Sequence, residues 1–339
     1  AEKIPALASA APEETMATAF PAIHAMFRWE SSASNQREVR KELETLSEGQ
    51  RLSATGRAAL EKQVAAQQPY LQGLHEAARK PAGRFALNYP DGKCITLEHL
   101  AQLREAARNL CHEARLAAED GDAGKVMDCL LAGLHFAEPL RDEPVYYSQL
   151  VRYSIHDTVT KTFSHAVSLC PFDDGQLARL TAAFQQAESP KSLTIALAGE
   201  QVLVLTTYDQ PEQLALCMAD MKTPLDEFFP GTTQFLTQSS SKLGENSRDK
   251  AFFLHVMGRA LEITRLPTPE MILAGKALGQ EVEKAYANAW IPRPSAYFLG
   301  SFGDAPKGLA RNLASLRAAA IITAIERYRL ISGYSPDSL

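Results

Sequence analysis

Apolar residues along this chain recur mostly at spacings of three and four, and alternating runs are few, so the pattern predicts helices from end to end. The strongest signal is the last, residues 307–330, where Leu309, Leu313, Leu316, Ala320, Ile321, Ala324, Ile325 and Tyr328 mark one wide face. Arg327 and Arg329 meet the negative end of its dipole, Gly333 suits its C-terminal cap, and Pro336 prevents continuation. A helix of that kind is expected in the middle of a bundle.

Upstream, turn residues divide the chain. Residues 14–29 read as a helix carrying Pro21, 35–49 as one capped by Asn35, and 54–80 as one capped by Ser53 and bent or split at Pro69. Residues 84–97 break the helical habit. Short mixed runs flank Pro90-Asp91-Gly92, a tight-turn signal, and predict a small β-hairpin insert or an extended loop. The clearest unit is the hairpin at 97–139. Leu100, Leu103, Ala107, Leu110 and Ala114 lie in register, Gly121 ends that helix, Asp122 caps the next, and Val126, Leu130 and Leu134 continue it. Its size and turn resemble a tetratricopeptide-type repeat, although no second copy recurs at a fixed period. Helices at 145–168, begun by Asp142-Glu143-Pro144, and at 173–188, 190–207, 211–221, 250–265 and 268–290 complete the series.

The expected fold is therefore all-α: antiparallel helical hairpins forming an irregular bundle or short solenoid. Residues 1–222 make an N-terminal region, 223–250 a loop or domain boundary, and 251–339 a C-terminal region packed on the first as one unit.

Composition narrows the class. The 339 residues are 45% hydrophobic and 22% charged, an ordinary globular balance. A net charge of -5 and a pI near 6.0 do not favour nucleic acid as a partner. No apolar run reaches the ~18 residues that span a bilayer. The chain begins at Ala1, and Ala8-Ser9-Ala10 has the small-residue character of a cleavage site. These features suggest a signal peptide or membrane anchor upstream of residue 1 and an exported, periplasmic or envelope-associated protein, with a cytoplasmic location as the alternative.

The cysteines are Cys94, Cys111, Cys129, Cys170 and Cys217, and their spacings match no zinc pattern. Cys111 and Cys129 lie symmetrically about Gly121. Packed helices bring facing Cα atoms to roughly 4–5 Å, inside disulfide reach, so the pair is either a bridge or a core contact.

Candidate chemistry is sparse. The histidines show no metalloprotease spacing, and His112 beside Cys111 and Glu113 makes no thiolate–imidazole pair, because adjacent helical residues do not face each other. His156 and His165 read as core-edge or surface histidines. Glu113, Glu119, Asp120 and Asp122 lack the order of a calcium loop and read as capping residues. No cofactor, metal or phosphate-loop motif is present. One polar set stands out: Tyr146, Tyr147, Gln149, Arg152 and Tyr153 either line a binding groove or form a buried network that fixes packing.

Three segments carry a resemblance. They are Arg84-Phe-Ala-Leu-Asn-Tyr-Pro-Asp-Gly92, then Asp142-Glu-Pro144 with Ser148, Arg152 and Ile155, then 324–330 with Gly333 and Pro336. Together they resemble an uncharacterised family of bacterial, mostly helical proteins that are exported or membrane-anchored. The resemblance covers residues 80–190 and 305–339 and implies no known activity. The last segment is also similar to the stretch after the long helix of type II secretion pseudopilins.

The expected function is a non-enzymatic cell-envelope interaction or scaffold protein that binds a protein partner in a groove between helices. The alternatives are a hydrolase-type enzyme with a site assembled from distant helices, and a small-molecule or lipid binder. A deep pocket with convergent ionisable groups favours the enzyme, a long apolar groove the scaffold, and a closed apolar cavity the lipid binder.

Overall fold

Helix ends fall where short polar side chains and glycines place them. A computed structural model of the chain describes residues 15–26, 39, 41–43, 45–46, 49–214, 245–287, 294–300 and 302–334. Thr15 caps α1 (Met16–His24), and Ser53 Oγ accepts the Gly56 amide at 3.0 Å to open α2 (Ala54–Ala66). Pro69 separates α2 from α3 (Gln68–Ala77). The helix α4 (Glu98–Glu119) ends at Gly121, whose φ of +76° suits a residue without Cβ. Asp122 then accepts the Lys125 amide at 2.9 Å and starts α5 (Ala123–His135). Next come α6 (Tyr146–Ala166), α7 (Asp174–Ala187) with a full Asp173–Gln176 capping box, and α8 (Ser192–Tyr208). The rest is α9 (Glu245–Ile263), α10 (Thr268–Tyr286), the short α11 (Pro294–Leu299) and α12 (Ala305–Ser332), closed by left-handed Gly333.

The architecture is an all-α bundle, and no strand occurs among the described residues. The expected β-hairpin at 84–97 is not formed: Tyr89–Cys94 is a 3-10 helix. Two short strands with no sheet to join are marginal, and the segment satisfies its backbone elsewhere. It packs on α8, where the Lys93 amide donates to Thr207 Oγ1 at 2.8 Å.

Two apolar clusters form the core. The first joins α1 to α7 with Leu316 and Ala319 of α12. The second joins α8 to α12 with Tyr146 and Tyr153 of α6. Thus α8 packs with the C-terminal helices, and α6 and α12 line both clusters. The helix expected at 35–49 is described only in part. Residues 215–244, which hold Cys217 and most of the expected loop or boundary, lie outside the described residues, as does Pro336.

The last helix lines both clusters, as expected of a helix in the middle of a bundle, and α6 shares that position. Helix α6 packs against α4, α5, α8 and α12 and leaves one strip, with Tyr147, Leu150 and Lys161, open to solvent. Ile155, Val159, Phe163 and Ala166 are fully buried, and so are Ser148, Gln149, Arg152 and His156. The last helix buries Leu309, Leu313 and Leu316, but its C-terminal third faces solvent, with Ile331 81% exposed.

The start of α6 also differs from its local signal. The Tyr146 amide donates to Glu200 Oε1 of α8 at 2.9 Å, and Lys93 Nζ reaches Glu200 Oε2 at 2.5 Å. Gly199 makes this approach attainable: a Cβ there would meet the Pro144 carbonyl oxygen at 2.0 Å. Glu143, expected near the cap, instead contacts His99 Nε2 at 3.1 Å and accepts from Ser148 Oγ.

His156 and His165, read as core-edge or surface residues, are both buried, because they lie on faces of α6 that meet neighbouring helices. Burial, then the nearby Arg152 charge, pushes the His156 imidazole from its ordinary 6.5 down to about 3, against its 2.9 Å contact with Asn312 Oδ1. A depressed folded value means stability that is present above pH 6.5 and is lost as pH falls toward 3. The melting temperature should therefore drop through that window. His156→Gln, which keeps a donor for Asn312, should flatten the slope in thermal unfolding measured against pH. Equal slopes in both proteins would show that another group titrates.

Candidate functional site

Of the polar set at the start of α6, only Tyr147 is exposed, at 55%. Gln149 Nε2 donates to the Leu140 carbonyl at 2.6 Å, Arg152 Nη2 to the Ala187 carbonyl at 2.5 Å, and Tyr153 OH lies 3.2 Å from Ser192 Oγ. Tyr146 is buried against the Phe302 ring, with centroids 5.2 Å apart. Four of the five residues thus join α6 to its neighbours. Tyr147 alone faces out, with Lys93 Nζ 5.5 Å from its ring centroid.

The acidic set at the α4–α5 turn is dispersed to separate partners. Glu119 accepts the Leu52 amide at 3.0 Å, Asp120 pairs with Arg57 at 2.6 Å, and Asp122 is the α5 cap. Glu113 does something else. Its Oε2 is 2.7 Å from His75 Nε2 of α3 and 3.4 Å from the Cys129 thiol of α5. Its Oε1 is 2.9 Å from Lys125 Nζ. Lys125 and Cys129 stand one turn apart on the same face of α5. Three helices therefore bring imidazole, carboxylate, thiol and ammonium to one point.

The electrostatics of the cluster come from that packing. Burial alone would raise the Glu113 carboxyl, but hydrogen bonds from His75 and Lys125 outweigh it and bring it down to about 2. Glu113 is thus an acceptor only, and the hydrogen in its bond to His75 sits on Nε2. Burial, then the Glu113 charge, pushes the Cys129 thiol well above its ordinary range. Cys129 is therefore a protonated donor and not a nucleophile in this state. Cys111 and Cys129 are both free thiols: Cys111 is buried in the first apolar cluster, and Cys129 turns toward Glu113 and His75.

The cluster sits at the wall of a cavity of about 660 Å³ between α3, α5 and α7. His75 and Lys125 face it, while Glu113 and Cys129 lie behind them in the core. Arg79 and Arg179 line it from opposite helical segments, and Asp128 and His135 line it from α5. Neither arginine forms an ion pair among the described residues. The volume is in the range of small-ligand sites.

Sequence spacing could not assemble this site, since Glu113 and His75 are 38 residues apart. One local signal existed: Lys125 and Cys129, four apart on a helix. Comparison with protein-family models, with curated proteins and with solved structures finds no match to this chain.

The depressed Glu113 value has a checkable sign. Its stabilisation is complete above the ordinary 4.5 and is lost as pH falls toward 2, up to about 3 kcal/mol. Glu113→Gln should lower the denaturant-unfolding free energy at neutral pH by about 1–3 kcal/mol and flatten the acid limb. An unchanged acid limb would contradict the assignment.

Proposed function

We propose that this protein is a binding protein whose ligand is a compact small molecule carrying carboxylate or phosphate groups, held in the cavity between α3, α5 and α7. The observation that carries the reading is the pair of guanidinium groups, Arg79 and Arg179, facing one cavity with Lys125 and without acidic partners of their own among the described residues. Guanidinium forks suit planar or tetrahedral anions, and the imidazoles of His75 and His135 add donors at the same wall. Polar lining argues for such a ligand over a lipid chain. The protonated, inward-turned Cys129 argues for binding over thiol catalysis.

A second reading is supported by the free end of α12. Ile321, Tyr328, Leu330, Ile331 and Tyr334 are all exposed there, and helical spacing places Ile321, Tyr328 and Ile331 close to one side. A protein partner in the cell envelope would cover this face, in keeping with an interaction or scaffold role. A photo-cross-linker at Ile331, used in envelope extract, should give one stoichiometric adduct if this reading holds.

The ligand reading is tested by calorimetry with citrate and inorganic pyrophosphate as probes. Saturable binding to at least one is expected, with thermal stabilisation that grows with concentration, near 2.7 kcal/mol at about 100 times Kd. The double variant Arg79→Ala/Arg179→Ala should lose that binding while melting as the parent does. Binding that survives unchanged in the double variant would refute the site.

A further inference from the structure

We propose that His75, Glu113 and Cys129 form a site for one divalent transition-metal ion of the zinc class, open toward the cavity, with the Lys125 ammonium standing in the ion's place when no ion is bound. The trio supports this site by itself, whether or not the cavity takes an anion.

Donor chemistry comes first. One imidazole nitrogen, one thiol sulfur and one carboxylate oxygen make a borderline-to-soft set, which selects zinc-like ions over calcium and magnesium. Geometry agrees. The three ligand atoms lie within 4.8 Å of one another. Their separations are 2.7 Å for His75 to Glu113, 3.4 Å for Cys129 to Glu113 and 3.9 Å for Cys129 to His75. A point equidistant from all three lies about 2 Å from each, close to Zn–N and Zn–O bond lengths, and a small displacement reaches the longer Zn–S bond.

The position already attracts a cation. Lys125 Nζ is 2.9 Å from Glu113 Oε1 and 3.4 Å from His75 Nε2, on a side chain that is 39% exposed. It lies in the first turn of α5 and faces the cavity, so it can swing outward without moving the helix. Behind the trio the core is closed, since Cys129 is fully buried. Three protein ligands with one open direction is the arrangement of a catalytic zinc site, whereas structural sites use four.

Metal binding balances without a co-reactant. Cys129 releases its thiol proton to solvent and Glu113 remains a carboxylate. His75 ligates through Nε2 as the Nδ1–H tautomer: a neutral ring moves its hydrogen from Nε2 to Nδ1 by exchange with solvent, and an imidazolium releases its Nε2 proton to solvent. Lys125 keeps its proton and leaves. No electron is transferred.

The test is titration of the metal-free full chain with cobalt(II), followed by displacement with zinc(II). One cobalt per chain and a thiolate-to-cobalt charge-transfer band in the near ultraviolet are expected. Cys129→Ser and His75→Gln should each weaken binding by more than about 100-fold and abolish the band, with helical circular dichroism as the folding check. Lys125→Met, a half-exposed change, should tighten binding about fivefold by removing the competing ammonium. The double variant Arg79→Ala/Arg179→Ala should keep the band, which separates the metal site from the anion reading. Absence of the band in folded parent protein, its survival in Cys129→Ser, or weaker binding in Lys125→Met would each overturn the proposal.

Discussion

A helix packed around most of its circumference sets the terms for this fold. Because α6 is packed against α4, α5, α8 and α12, the polar side chains on those faces have to find partners inside the protein. They find them on neighbouring helical segments: the Leu140 carbonyl for Gln149, the Ala187 carbonyl for Arg152, and Asn312 for His156. The arrangement is costly. Arg152 Nε and Nη1, Gln149 Oε1 and His156 Nε2 are buried with no hydrogen-bond partner. Apolar packing on both sides of α6 has to outweigh that cost, and the clusters it joins contain most of the large fully buried side chains.

The polar cluster beside the cavity draws its rigidity from the same core. Glu113 and Cys129 project from the α4–α5 hairpin, whose other residues fill the first apolar cluster. His75 comes from α3, and its helix carries the fully buried Leu71 and Leu74. Groups fixed on packed helices hold their spacing better than groups on loops. Lys125, at the edge of the hairpin, is the one member free to move.

Much of the fold was legible because its signals are local. Ser53, Asp122 and Asp173 cap helices, Gly121 and Gly333 end them, and Pro69 splits one, all as local backbone chemistry dictates. The last helix was legible as central, and α6, which shares that place, was not, for a physical reason. The last helix is amphipathic, whereas α6 carries Arg152, Gln149 and His156 on its buried faces and so resembles a surface helix. The hairpin expected at 84–97 failed because Asp91-Gly92 signals a turn without deciding whether the flanking residues pair as strands. Glu113 looked like one more acid near a turn, and only tertiary packing gives it His75 and Lys125.

Glu200 has a consequence for how the chain folds. One buried carboxylate holds the first amide of α6 and the Lys93 ammonium at once, with Gly199 admitting the close approach. The groups it joins are 54 and 107 residues away along the chain. The joint ties α6, which lines both apolar clusters, to α8, which lines the second. Closing it requires long-range loops to form first, which slows assembly. The same joint couples the two halves, so they should gain and lose structure in one cooperative transition instead of as successive domains.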